Sequence, residues 1–167
     1  MNKRLIVING TMGVGKTTTC RALRPLLPSH VFLDGDWCWD LHPFQVTEET
    51  REMVLENIAF LLNQFLRCTA CQDVLFCWVL PREEILQNLL ARLEGTFSLQ
   101  WFTLDCGREE LIRRLQQDIQ GGLRDPGVVE RALDRMEGYG EMPSIHVDVT
   151  HRSPQEVARW IWEQLQE

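Results

Sequence analysis

The segment Gly10-Thr-Met-Gly-Val-Gly-Lys-Thr17 fits the pattern G-x-x-x-x-G-K-[S/T] at every position. It lies between a short apolar run, Leu5-Ile-Val-Ile8, and a stretch with helical character beginning at Lys16. Few features restrict an architecture as strongly. Glycines at these places let the backbone curl until successive N–H groups point inward at an anion, and the helix start adds partial positive charge. Such a loop needs a buried strand that ends where a helix begins, which is the edge of an α/β sheet. In it, Lys16 reaches terminal phosphates and the Thr17 hydroxyl ligates Mg²⁺. Gly10, Met12, Gly13, Val14 and Gly15 supply the phosphate-facing backbone, with Lys16, Thr17 and Thr18 at the helix start. Lys16 is one of two lysines against fifteen arginines, a small sign of a retained task.

The rest of the chain repeats the alternation. Leu5–Ile8, His30–Asp34, Asp73–Leu80, Ser98–Asp105 and Ser144–Val149 read as strands, the first and third as unbroken apolar runs expected of strands buried on both faces. Helices are expected over Lys16–Leu27, residues 48–71, Arg82–Glu94, Glu109–Gln120 and 126–137. A last one opens at the capping box Ser153-Pro-Gln-Glu156. This order predicts one α/β domain over 1–167, with a mainly parallel sheet and helices on both faces. The segment of about 113–137, loosest from Gln120 to Gly127, suits a mobile lid.

Composition narrows the function classes. With 167 residues and 44% hydrophobic side chains, the chain can build one full core. No apolar run approaches the ~18 residues of a membrane helix. The basic start, Lys3-Arg4, precedes only four apolar residues, too few for a secretion signal, so a cytoplasmic location is expected. A net charge of −7 argues against nucleic acid as a partner. Residues 113–135 hold five arginines against four acids, which hints at an anion gathered there. Of six cysteines, Cys68 and Cys71 form a C-x-x-C, yet no second pair or histidine pair follows at zinc spacing, so buried reduced thiols are expected.

Leu33-Asp34-Gly35-Asp36 closes the second strand, on the sheet edge that carries the phosphate loop. Two carboxylates spaced in this way can divide the labour of phosphoryl transfer, one holding a Mg²⁺-bound water and one orienting an acceptor hydroxyl. By itself Asp-Gly-Asp is also an ordinary surface turn.

With these residues in place, the chain resembles the small P-loop kinases related to shikimate kinase, gluconate kinase, adenylylsulfate kinase and chloramphenicol phosphotransferase. The likeness extends to the Glu110-Leu-Ile-Arg-Arg-Leu115 helix, the arginine-bearing lid and the late Val147-Asp-Val-Thr-x-x-Ser-Pro-x-Glu-Val157. It implies a three-layer P-loop NTPase fold, with a five-stranded parallel sheet in the order 2-3-1-4-5 and MgATP as donor. Carried over, Asp34 is the Mg²⁺-side carboxylate beside Thr17, and Asp36 faces the acceptor hydroxyl. Arg124 becomes a lid arginine on the transferring phosphate, with Arg114, Arg131 or Arg135 as helpers, and Thr150 to Ser153, including Arg152, borders the adenine. Two departures stand out. The third strand ends in Trp78-Val-Leu-Pro-Arg82, with neither a glycine-rich turn nor a carboxylate. That argues against shikimate as acceptor and leaves Mg²⁺ to Thr17 and Asp34.

Trp37 and Trp39 follow the aspartates, and they either stack a sugar, a base or another flat acceptor or pack under the next helix. Arg82 either binds an anionic acceptor or pairs with Glu48. His30, His146 and His151 read as structural. Trp160 and Trp162, two apart on the last helix, are not expected to share one core. The reading is an ATP-dependent kinase of a small hydroxyl- or phosphate-bearing acceptor, monomeric or weakly dimeric. Its alternatives are a nucleoside or nucleotide kinase and a nucleotide-dependent binding or regulatory protein.

Overall fold

The computed structural model describes residues 2–167. Five parallel strands, β1 (Lys3–Asn9), β2 (His30–Asp34), β3 (Asp73–Cys77), β4 (Phe97–Asp105) and β5 (Ile145–Asp148), form one sheet in the order β2-β3-β1-β4-β5. The order and the parallel direction are those the resemblance implied. Around the sheet lie α1 (Lys16–Leu23), α2 (Glu48–Arg67), α3 (Glu83–Leu90), α4 (Arg108–Gln120), α5 (Val128–Gly140) and α6 (Pro154–Gln164).

The unbroken apolar strands are explained by two cores. Ile6, Ile8, Leu75, Cys77, Phe102 and Leu104 point to the face covered by α1, α4, α5 and α6. Leu5, Val7, Val74, Phe76 and Trp101 alternate with them and point to the face covered by α2 and α3. No helix among the described residues is long and apolar enough to cross a membrane.

Several boundaries differ from the sequence pattern, each for a local reason. The first helix stops at Leu23 and gives way to a tighter turn over Arg24–Leu26, because Pro25 lacks the N–H that would continue it. α2 stops at Arg67 rather than residue 71. The Lys3 ammonium reaches the carbonyls of Phe65, Cys68 and Cys71 there, which gives the second lysine a structural task. β3 ends at Cys77 rather than Leu80. Leu80 sits in the left-handed region at φ 38°, and its carbonyl accepts from the buried Asn9 amide at 3.1 Å. Trp160 and Trp162 flank the buried Ile161 and both pack on the rim of the same core, so their spacing does not separate them. All six cysteines are free thiols.

Candidate active site

The phosphate loop is held from behind by α4. Gly13 has φ 82°, and a Cβ there would come within 2.5 Å of Leu115 Cδ2. The glycine is what allows the two elements to touch. Gly15, the N-terminal cap of α1 at φ 98°, meets nothing within 4 Å of where its Cβ would stand. That open concavity, lined by backbone N–H groups at a helix start, is what an anion requires. Thr11 Oγ1 donates to the Ala132 carbonyl at 2.9 Å, tying the loop to α5 as well.

Lys16 folds back over its own loop and donates to the carbonyls of Gly10 and Thr11, each at 2.9 Å. The side chain is half-buried at the cavity wall. The lost hydration lowers its pKa from 10.5 to about 8, against the upward pull of Cys77 and Asp36. A lysine in this state is poised to gain from a phosphate.

At the end of β2, the Thr17 hydroxyl donates to Asp34 Oδ2 at 2.8 Å, and Asp34 Oδ1 accepts from the Asp36 backbone N–H at 3.0 Å. Asp34 is only 6% exposed and has no cationic side chain within salt-bridge reach among the described residues. A buried carboxylate without a countercharge is costly. A neutral hydroxyl oxygen beside an anionic one is the hard donor pair that Mg²⁺ accepts, so these two residues fit the metal. Asp36 opens to the cavity but is crowded by protein, and burial followed by Asp34's charge raises its pKa. Gly35 explains the geometry of the pair: its missing Cβ would lie 2.4 Å from Trp78 Cγ, so the turn rests directly on that indole.

Two cavities meet at this turn. The first, about 380 Å³, runs from Met12–Thr18 past Asp36 and Arg124 to Arg152 and Pro154. The second, about 630 Å³, is floored by Trp39 and Trp78 and rimmed by Arg51, Arg82 and Arg135. Val79 lines both, and the Tyr139 hydroxyl of α5 braces this partition by donating to the Val79 carbonyl at 2.6 Å.

The expected site residues are distributed accordingly. Arg124 lines the first cavity, with its Nε on Asp118 at 3.0 Å. Arg152 and Thr18 line it as well. Arg114 does too, but three of its donors are engaged: Nε on Glu110, Nη1 on the Val14 carbonyl and Nη2 on the Val149 carbonyl. It clasps the loop to the exit of β5. Arg131 is paired with Asp125 at 2.6 Å, outside both cavities.

Arg82 is not paired with Glu48 and stands at the second cavity, as does Trp39. Trp37 does not join it. Its ring meets Phe32 edge-on at 5.4 Å and lines a separate groove with Phe60. The short helical turn over Gly35–Trp39 turns neighbouring side chains in different directions, so one tryptophan faces the cavity and the other faces away. Arg135, expected over the phosphates, instead rims the second cavity. Arg51 was not singled out by any motif. It is one more charged residue in the first turns of a helix, and only the path of α2 brings it here. His30 and His146 are structural: His30 bonds the Leu27 carbonyl, and His146 bonds Asp105 and the Met142 carbonyl.

A family model described as an AAA domain matches residues 6–142. The chain belongs to that family. Among solved structures, the tunicamycin resistance protein of Deinococcus radiodurans is similar at 23% identity with a TM-score of 0.76, covering 98% of this chain and 96% of the other. A gluconokinase from Sinorhizobium meliloti 1021 has 20% identity and a TM-score of 0.70, covering 99% and 91%. The APS kinase of Mycobacterium tuberculosis, solved with AMPPNP and APS, has 13% identity and a TM-score of 0.67, covering 99% of each chain. No curated protein matches. Within this AAA domain, the phosphate loop, the Asp34–Asp36 turn and the two adjoining cavities occupy the carboxyl edge of the sheet, where open α/β folds bind ligands.

Proposed function

We propose that this protein is a kinase that transfers the terminal phosphoryl group of ATP to a hydroxyl of a small-molecule acceptor. The observation that carries the reading is the place of Asp36. It stands on the wall of the phosphate cavity, next to the Trp78 floor of the second cavity, where the acceptor hydroxyl and the phosphate must meet. The chain's likeness in structure to a gluconokinase, an APS kinase and a shikimate kinase supports it.

When bound, MgATP supplies the phosphoryl group and a divalent charge. The loop's N–H groups and Lys16 bind and orient the phosphates, and the ammonium exchanges its two carbonyl partners for phosphate oxygens. Thr17 and Asp34 hold the metal. Asp36 accepts the acceptor's hydroxyl hydrogen and directs its oxygen; its raised pKa brings it closer to a group that can take up that proton. Arg124, whose Nε rests on Asp118, offers its remaining donors to the cavity, and movement of residues 121–127 would bring them over the phosphates and exclude water. We further propose action in the cytoplasm as a monomer or weak homodimer, without nucleic acid or membrane partners.

The test is ADP production from MgATP against a library of small alcohols, sugars, nucleosides and nucleotides, with Lys16→Ala as the blank. Acceptor-dependent ADP release that disappears in the blank is expected. Saturable ATP binding with no acceptor stimulating turnover would favour the nucleotide-dependent binding protein instead.

A further inference from the structure

The second cavity has an unusual combination of walls. Arg51, Arg82 and Arg135, from α2, the start of α3 and α5, converge on it, and none has a carboxylate within salt-bridge reach among the described residues. Most other arginines in the chain are paired: Arg4, Arg67, Arg92, Arg113, Arg114, Arg124 and Arg131 all have acidic partners. Between the three free guanidinium groups the walls are apolar, formed by Val54, Leu55, Leu80, Ile85 and the indoles of Trp39 and Trp78. Asn88 and the Glu84 carboxylate also line it, Glu84 bringing one negative charge against the three positive ones.

The floor has one more feature. Trp78 is 6% exposed, and its indole Nε1 is a buried side-chain polar atom with no hydrogen-bond partner among the described residues. It lies under the turn that carries Asp36, where a Cβ on Gly35 would come within 2.4 Å of Trp78 Cγ. A buried donor left unpartnered next to a reactive carboxylate calls for an acceptor atom from outside the chain. Trp39 supports the floor edge-on, with ring centroids 5.8 Å apart.

These walls select against a polyhydroxylated compound. Each sugar hydroxyl turned to Val54, Leu55 or Ile85 would lose its water and gain nothing, and a site rejects ligands whose polar groups it cannot pair. The volume of about 630 Å³ has room for a ring-bearing molecule. We infer that the acceptor is an amphipathic anion: a flat, largely apolar ring body on Trp39 and Trp78, an anionic group held by Arg51, Arg82 and Arg135, and a hydroxyl directed at Asp36 and the Trp78 N–H. The direction of transfer rests on the proposed kinase reading. The binding chemistry does not.

The experiment is therefore a binding measurement, made with the phosphate cavity filled by saturating MgADP. Three probes are titrated by calorimetry and tryptophan fluorescence: 6-hydroxy-2-naphthoate (ring, anion and hydroxyl), 2-naphthol (ring without anion) and gluconate (anion without ring). The naphthoate is expected to bind at least about tenfold more tightly than either control. The double variant Arg82→Gln/Arg135→Gln should reduce it to the level of 2-naphthol, while Trp39→Leu should weaken both ring probes together. The three residues are exposed or half-buried, and an unchanged circular dichroism spectrum verifies the fold.

Gluconate binding as tightly as the naphthoate would overturn the inference, as would naphthoate affinity indifferent to the arginine pair. The kinase reading is judged separately, by ADP release with ring-bearing hydroxy acids. The binding pattern without any ADP release would uphold this site and remove the transferase role.

Discussion

The two cavities on either side of Val79 are built by different means. The phosphate cavity is mostly backbone: a loop whose glycines are required by Leu115 behind Gly13 and by positive φ at Gly13 and Gly15, and whose lysine already has two carbonyl partners. Two of its three arginines, Arg114 and Arg124, are tied to Glu110 and Asp118, and Arg152 alone has no acidic partner among the described residues. The second cavity is made of side chains from four separate stretches, and its three arginines have no acidic partner among the described residues. One region is therefore organised before any ligand arrives, whereas the other keeps its charges available for a ligand. Preorganisation suits a donor common to many enzymes, and unspent charge suits a particular acceptor.

The largest effects should come from the boundary. Asp36→Asn is expected to lower phosphoryl transfer by about 10²–10⁴-fold while ATP affinity stays within a few-fold. Steady-state ADP release together with nucleotide titration measures both. A transfer rate that survives the change would erase the distinction between the two regions, because nothing at their junction would then be chemical.

Gly35→Ala sharpens the same boundary by geometry. The new methyl would lie 2.4 Å from Trp78 Cγ, so either the indole or the Asp34–Asp36 turn must move. Overpacking of this kind costs about 1–3 kcal/mol, and displacement of a reacting group by about 1 Å costs about 10²-fold in rate. Urea unfolding and ADP release should both register it. Adding Trp78→Leu should restore much of the stability but not the rate, a coupling that a double-mutant cycle isolates.

This contrast also decides what could be read from the sequence. The phosphate loop and the Asp34/Asp36 pair depend on local rules, a glycine pattern and a strand end, and those rules are written in consecutive residues; the sheet order comes with the family resemblance those residues carry. The second cavity depends on where α2 and α5 cross the ends of β3. Arg51 and Arg135 lie far apart in the chain, and nothing near either one records that they meet. Trp37 and Trp39 are ambiguous for the same reason, since an irregular turn has no period from which to assign faces. The end of β3 is set by Leu80's left-handed backbone and by Asn9 at the end of the neighbouring strand β1, which an apolar run does not disclose.

Lys16 offers a test by pH. Its lowered pKa means that the free protein loses this charge as pH rises through about 8, while a phosphate ligand favours the charged form. ATP affinity should be nearly flat below that value and fall about tenfold per pH unit above it, measured by calorimetry between about pH 7 and pH 9. Stability moves the other way. Between about 8 and 10.5 the unfolded chain holds the proton that the folded protein has lost, so stability rises with pH across that window and the burial penalty is complete below it. Lys16→Met should therefore raise the Tm of the ligand-free protein near neutral pH, by about 3 °C. An unchanged or lower Tm would mean that the loop is not strained by its own lysine, and the contrast with the second cavity would narrow.

The smallest effects come from the two tryptophans, and they separate the regions most finely. Trp39 is in edge-on contact with Trp78 and with Phe44, at 5.8 and 5.1 Å, so it supports the floor on which an acceptor would lie. Trp39→Leu should raise the acceptor KM about tenfold with kcat little changed, the signature of binding lost equally from ground and transition states. Trp37 is 58% exposed and touches Phe32 on the far side of the turn. Trp37→Ser should leave both constants within about twofold, since an exposed residue remote from the cavity has little to contribute. If Trp37→Ser instead raised KM as much as Trp39→Leu, the acceptor would be spanning the Gly35–Trp39 turn, and the groove beside Phe60 would belong to the site.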